Sequence, residues 1–390
     1  MFWYLVVFAV LTLLALVERG QEWPGLTAAV ILALMCGLRY ETGFDWVEYE
    51  AHYLFAPGLF DDDIYTSVTA LTYEPGFELL NRLLRTVRAD FQWLIFVIGV
   101  FNMFVLYLLT RRFSPLVVVV LLWYYGFVFL TGQMATMRQA LSASFIYIAF
   151  LRRNEGQEWQ AILFSAGAVL IHSFAIIFAP LVFVTLKPFR ASWLAVVAVV
   201  GFAATGPEGN YFVTIANVIL RVVNAGVVAE RLEIYSSLAG ANISPVSLAL
   251  VAMHLVFVAA VQHKNADDYI SRAAMWSAWL SVILHAWFAP FPILWNRVML
   301  ISFPLEAIVI CRVYQAELAA AFFRVRLIAI AGAGSLLALV YALTNAQSLV
   351  YEPYQNLAVV WLRGPYGTGR LRYQVIRNEN NALAIEQKGH

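Results

Sequence analysis

A chain of 390 residues in which 62% are hydrophobic and only 13% charged is too apolar for a soluble domain and reads as a polytopic membrane protein. Its formal net charge is +1, and the basic residues stand at the ends of apolar runs instead of in one patch, which excludes a nucleic-acid partner. The two cysteines, Cys36 and Cys311, have no second thiol or histidine at metal spacing and read as packing residues.

The first apolar run, 2–17, lacks a basic leader and a small-residue cleavage site, so it reads as a retained helix. Further runs follow near 25–38, 92–110, 114–131, 139–151, 160–186, 192–206, 244–262, 270–289, 296–313 and 326–344, several shorter than the roughly 20 residues of a full span. They predict an all-α fold of about 11–12 transmembrane or re-entrant helices. Residues 1–362 then form a single integral membrane domain, followed by a polar, partly disordered tail at 363–390. Arg111-Arg112, Arg152-Arg153, Lys187 with Arg190, His263-Lys264 and Arg312 with Arg324 and Arg326 occupy connections poor in acids, which the positive-inside rule makes cytoplasmic.

Run 160–186 leaves Arg153 and must return to Lys187 on the same side, so it is expected to break near His172-Ser173 into two half-helices. The alternative is one long tilted helix with a buried histidine. On the broken topology the external face receives 39–91, 207–243 and the tail from about 345. Within the first, Tyr73 to Arg85 has helical apolar spacing with charges between, as an interfacial helix does. Val213, Ile215, Val218, Ile219 and Val222 predict a second surface helix. The aromatics Trp123, Tyr124 and Tyr125 are expected to anchor the helix ends at the headgroups.

No phosphate-binding glycine loop, nucleophile elbow or paired-ligand metal motif occurs, so no cofactor and no metal is expected. Charge instead intrudes at or inside membrane-length runs at Arg39, Arg138, His172 and Arg297, which suggests one polar site. Arginine forks match phosphate oxygens and keep their charge, which suits a phosphorylated lipid handled at the outer face. Asp45, two residues after Gly43 where the chain leaves a helix, is the candidate general base for a sugar hydroxyl; otherwise it simply pairs with Arg39. Glu48, Glu50 and Asp61-Asp62-Asp63 read as loop charges, although such acids can also hold a divalent cation. Arg138 is explained equally by a salt bridge to a loop acid or a phosphate contact, and Arg297 poses the same question. His172 is either a hydrogen-bonded packing residue or part of the catalytic set with Asp45 and Arg138.

Several of these segments resemble the EpsG family of Wzy-type exopolysaccharide and O-antigen polymerases. The shared elements are Arg39, Gly43, Asp45, Tyr49 and Tyr53; Arg138-Gln139-Ala140-Leu141; His172-Ser173-Phe174-Ala175; and Tyr351-Glu352-Pro353-Tyr354. They run in order from about 35 to 356, departing only at the bulky Phe44 and in the tail after Arg363. The resemblance implies a fold similar to the GT-C glycosyltransferases in the bacterial inner membrane. It also implies polymerisation of oligosaccharide units carried on polyprenyl diphosphate, with a chain-length regulator and membrane lipids as partners. Under it, Arg39, Glu48, Tyr49, Gln139, Arg297, Tyr351 and Tyr354 bind substrate. The rivals are a GT-C enzyme taking sugar from a polyprenyl monophosphate, and a transporter of the same lipid, which should show inverted repeats that the sequence lacks.

Overall fold

The computed structural model describes residues 1–61, 73–206, 209–210, 214–215, 244–289, 292–364 and 369–388. Asp62, Asp63 and nearly all of the expected surface helix around 213–222 lie outside them. The helices in chain order are α1 (Phe2–Val17), α2 (Trp23–Gly37), α3 (Trp46–Phe55), α4 (Pro75–Thr86), α5 (Phe91–Phe113) and α6 (Val117–Tyr124), which passes directly into a π-helix, Tyr125–Met134. Then come α7 (Met137–Asn154), α8 (Glu158–Ile171), α9 (Ala179–Val182), α10 (Ala191–Ala203), α11 (Pro245–His263), α12 (Tyr269–Trp287), α13 (Pro292–Val313), α14 (Ala321–Thr344), α15 (Leu357–Arg363) and α16 (Gly369–Lys388). Among the described residues, four stretches are long and apolar enough to cross a membrane, 91–113, 117–134, 245–263 and 321–344, while α1, α2, α8 and α10 are shorter apolar helices. The chain is an all-α polytopic membrane protein.

It divides into two compact units, 1–183 with 314–390, and 184–313. In the first, α2 packs on α5, α5 on α7 and α7 on α8, while the π-helix packs on α14. Pro24 and Pro75 open α2 and α4 at positions where a missing N–H costs nothing. The buried carboxylate of Glu18 caps α6, accepting from the Val117 amide at 2.8 Å and the Val118 amide at 3.0 Å. Burial raises its pKa to about 7, against the lowering effect of those two amides. In the second unit α11, α12 and α13 pack together. They bury His254, whose Nδ1 lies 2.8 Å from Glu306, with the His285 ring centred 5.6 Å away. The two-residue strands Thr205–Gly206 and Gly209–Asn210 pair in this unit.

The run 160–186 does break at His172, which ends α8 in an extended conformation. The second arm is not a half-helix. Ser173–Ile177 is a 3₁₀ turn and α9 a single turn begun at Ala179-Pro180, where proline supplies no amide to continue the ladder. Tyr124 and Tyr125 are interior, not belt, residues: their hydroxyls donate to Gln133 Oε1 at 3.4 Å and to the Tyr4 carbonyl at 2.8 Å. The tail is ordered as α16, held by arginine contacts to loops nearly 20 to 330 positions away that tail composition does not disclose.

Candidate functional site

The segment linking α2 to α3 carries Arg39 and Asp45, and a second segment, 350–356, lies antiparallel against it. Arg39 bridges to Asn356, the Tyr40 amide donates to the Gln355 carbonyl at 2.9 Å, and the Gly43 amide donates to Val350 at 3.0 Å. Gly43 has φ +114°, and a Cβ there would stand 2.5 Å from the Met134 carbonyl oxygen, so any side chain would push the loop off the π-helix. The glycine thus fixes where Asp45, two residues on, leaves the loop.

Arg39 is 2% exposed. Its Nη1 donates to the Gln133 carbonyl at 3.1 Å, at the end of the π-helix, where ladder geometry is already irregular. Gln133 continues into a buried network: its Oε1 accepts from Asn102 at 3.2 Å, and Asn102 Oδ1 accepts from Ser144 at 2.8 Å. Among the described residues no carboxylate forms an ion pair with Arg39, and its buried Nε has no hydrogen-bond partner. Burial pulls its pKa below the usual guanidinium value, opposed by Cys36, Tyr351, Tyr354 and Tyr49 around it.

Asp45 is the N-cap of α3, half-buried, and its carbonyl accepts from the Tyr49 amide at 3.1 Å. Its charge acts on the phenols of Tyr49, Tyr73 and Tyr351, placing the carboxylate within electrostatic reach of all three. Burial first, and Asp45 next, push the Tyr49 and Tyr351 phenols well above their ordinary value. Burial takes Tyr73 up to about 12, against the Arg138 guanidinium. Tyr354 also rises to about 12 by burial; its hydroxyl donates to the Met35 carbonyl at 2.8 Å.

Arg138, in the first turn of α7, pairs with Glu74 at 2.5 Å, lies over the Tyr73 ring at 4.3 Å and acts electrostatically on the Tyr49 phenol. Its buried Nε has no hydrogen-bond partner. The salt bridge considered from the sequence therefore exists, and Glu74 supplies it. Glu74 precedes Pro75 at the N-cap of α4 and also accepts from the Ser173 amide at 3.0 Å and hydroxyl at 2.9 Å. Burial alone would raise its carboxyl, but the Ser173 amide and Arg138 outweigh burial and hold it below the ordinary value. His172 is buried, accepts at Nδ1 from the Phe174 amide at 3.2 Å, and acts electrostatically on Glu74. An accepting Nδ1 leaves the proton of the neutral ring on Nε2.

One continuous cluster thus holds Arg39, Asp45, Tyr49, Arg138, His172, Tyr351 and Tyr354. Glu48 is exposed and accepts from Tyr373 at 3.3 Å, and Gln139 is half-buried in the first turn of α7. Arg297 is half-buried on α13, which belongs to the second unit. Glu74, Tyr73 and Ser173 were missed as site residues. An acid directly before Pro-Gly at a helix start was the available signal for Glu74. A cavity of about 490 Å³ lined by Asp61, Arg85, Arg88 and Asp90 involves none of the predicted site residues. Among the described residues no group of three or more His, Cys, Asp or Glu is arranged to hold a metal ion.

Fold and cluster together describe an integral membrane protein with arginines, acids and phenols gathered where loops meet helix ends. The chain matches the model of the EpsG family over residues 22–356 and belongs to that family. Membership indicates a membrane-embedded polysaccharide polymerase. No curated protein and no solved structure matches.

Proposed function

We propose that the protein joins oligosaccharide units carried on polyprenyl diphosphate into a polysaccharide, at the outer face of a bacterial inner membrane, in a GT-C-like framework. The observation that carries this reading is Arg39: a guanidinium 2% exposed, with an unpartnered Nε and no ion-pair carboxylate among the described residues. A buried cation left without an anion costs several kcal/mol, so the site favours a ligand that brings negative charge to it. A diphosphate does so, and Arg138 presents a second unpartnered Nε within the same cluster.

In this mechanism the Asp45 carboxylate takes the proton of an acceptor sugar hydroxyl, and the oxygen bonds to the anomeric carbon of a second lipid-linked unit. The anomeric C–O bond to phosphate breaks, and polyprenyl diphosphate leaves with the bonding pair. Arg39 and Arg138 stabilise the charge that develops on it. Glu74 and Ser173 hold Arg138 in orientation, and the Tyr49 and Tyr351 phenols stay protonated and donate. Gln139 and Glu48 belong to the wider substrate path in this proposal, and a chain-length regulator is the expected protein partner.

Asp45→Asn keeps the shape of the side chain and removes the base. In a deletion strain complemented with the variant, polymer should disappear while the protein inserts at normal levels. Wild-type polymer yield would remove Asp45 from the mechanism.

A further inference from the structure

The family match ends at residue 356, yet α16, beyond it, lies on both loops that carry the cluster. The Arg372 guanidinium donates to the carbonyls of Leu349 at 3.3 Å and Pro353 at 3.1 Å through Nη1, and to Glu41 at 3.3 Å through Nη2. One loop bears Arg39 and Asp45, the other Tyr351 and Tyr354. Neighbouring contacts repeat the pattern. Arg370 pairs with Glu50 at 2.6 Å and lies 5.8 Å from the Trp46 ring centre, while Gly369 donates to Glu41 Oε2 at 2.7 Å. A Cβ on Gly369 would sit 2.1 Å from the Glu41 carbonyl oxygen, so the helix start is fitted to that loop. Tyr373 reaches Glu48 at 3.3 Å and meets the Phe44 ring at 6.5 Å, on the residue just before Asp45.

We propose that Arg372 is a positioning residue for the transfer reaction, a clamp that sets the distance from the Asp45 loop to the Tyr351 loop from outside the family core. The planar fork is what permits this: its separated donors reach carbonyls on two loops at once, which a lysine ammonium cannot reproduce in the same geometry. The proposal rests on the polymerase reading given above, because it is the alignment of the Asp45 base with the bound diphosphate lipid that the clamp preserves. Phe44 and the tail, the two departures from the family pattern, then belong to one device, since Phe44 meets Tyr373.

The test uses the full-length protein in lipid nanodiscs with a synthetic polyprenyl-diphosphate oligosaccharide. Initial rates are measured for wild type, Arg372→Ala, Arg372→Lys and Asp45→Asn, together with amide hydrogen exchange at Tyr40 and Gly43. Misplacing a catalytic group by about an ångström costs about a hundredfold in rate, so Arg372→Ala should lose about that much kcat with KM little changed. Exchange at Tyr40 and Gly43 should accelerate, and added methylguanidinium should restore part of the rate. Arg372→Lys, which keeps charge and most of the volume and guards against loss of fold, should also lose kcat. Wild-type kcat in both Arg372 variants beside an inactive Asp45→Asn would overturn the clamp and leave the polymerase site standing. Wild-type rate in Asp45→Asn would instead overturn the polymerase site.

Discussion

Replacing Arg39 by glutamine separates a residue kept for binding from one kept for folding. The guanidinium is 2% exposed and, among the described residues, makes one hydrogen bond, to Gln133, with its Nε unsatisfied. Removing an uncompensated buried charge relieves a desolvation penalty, and a glutamine amide can still donate to Gln133. The change in unfolding free energy should therefore lie within about 1 kcal/mol of zero or favour the variant. Catalysis should move the other way. Losing one donor that stabilises developing negative charge costs about 2–4 kcal/mol, or roughly 30- to 1,000-fold in rate. Thermal unfolding in nanodiscs, with and without polyprenyl diphosphate, adds a binding readout. At a hundredfold excess over Kd the lipid should stabilise wild type by about 2.7 kcal/mol, and the variant by clearly less. A variant that is strongly destabilised without lipid yet keeps its rate would make Arg39 a structural residue and refute the reasoning.

Arg138→Lys keeps the charge but loses the planar fork that engages Glu74 at 2.5 Å while lying over the Tyr73 ring; single-turnover rates on the diphosphate substrate should fall strongly, and near-equal rates would leave Arg138 as a salt-bridge partner only. Glu18 contributes one pH-dependent term to stability. Its folded pKa of about 7 stands above the ordinary carboxylate value, so the folded state binds the extra proton, and this stabilising term is complete below the unfolded pKa and lost as pH rises through about 7. Unfolding midpoints of wild type should therefore fall relative to Glu18→Gln between about pH 4.5 and 7, and parallel curves would contradict the assignment.

Sequence signals reached some of this cluster and not the rest, for physical reasons. Arg39, Asp45, Arg138 and His172 are legible because charge at the edge of a membrane-length run is expensive, and each is local to its run. The break at His172 followed from counting basic residues on either side of it. Glu74 did not stand out, because its partners Arg138 and Ser173 lie 64 and 99 positions away and nothing local separates an N-cap acid from a loop acid. The π-helix was hidden because its apolar run fits ordinary helical spacing. Tyr124 and Tyr125 were misplaced because an apolar face says nothing about whether lipid or protein covers it. The order of α16 comes from Arg370 and Arg372 meeting acids and carbonyls in loops far back in the chain, contacts that a polar tail composition does not disclose.

The proposed reaction forms a glycosidic bond between two diphosphate-linked units. Purified protein in proteoliposomes should be given a defined polyprenyl-diphosphate oligosaccharide alone, with products resolved by mass. A ladder of integral repeat lengths should form, with one polyprenyl diphosphate released per added repeat and no ladder from Asp45→Asn. Extension by single sugars from a polyprenyl monophosphate, or movement of the lipid across the bilayer with no new glycosidic bond, would contradict it.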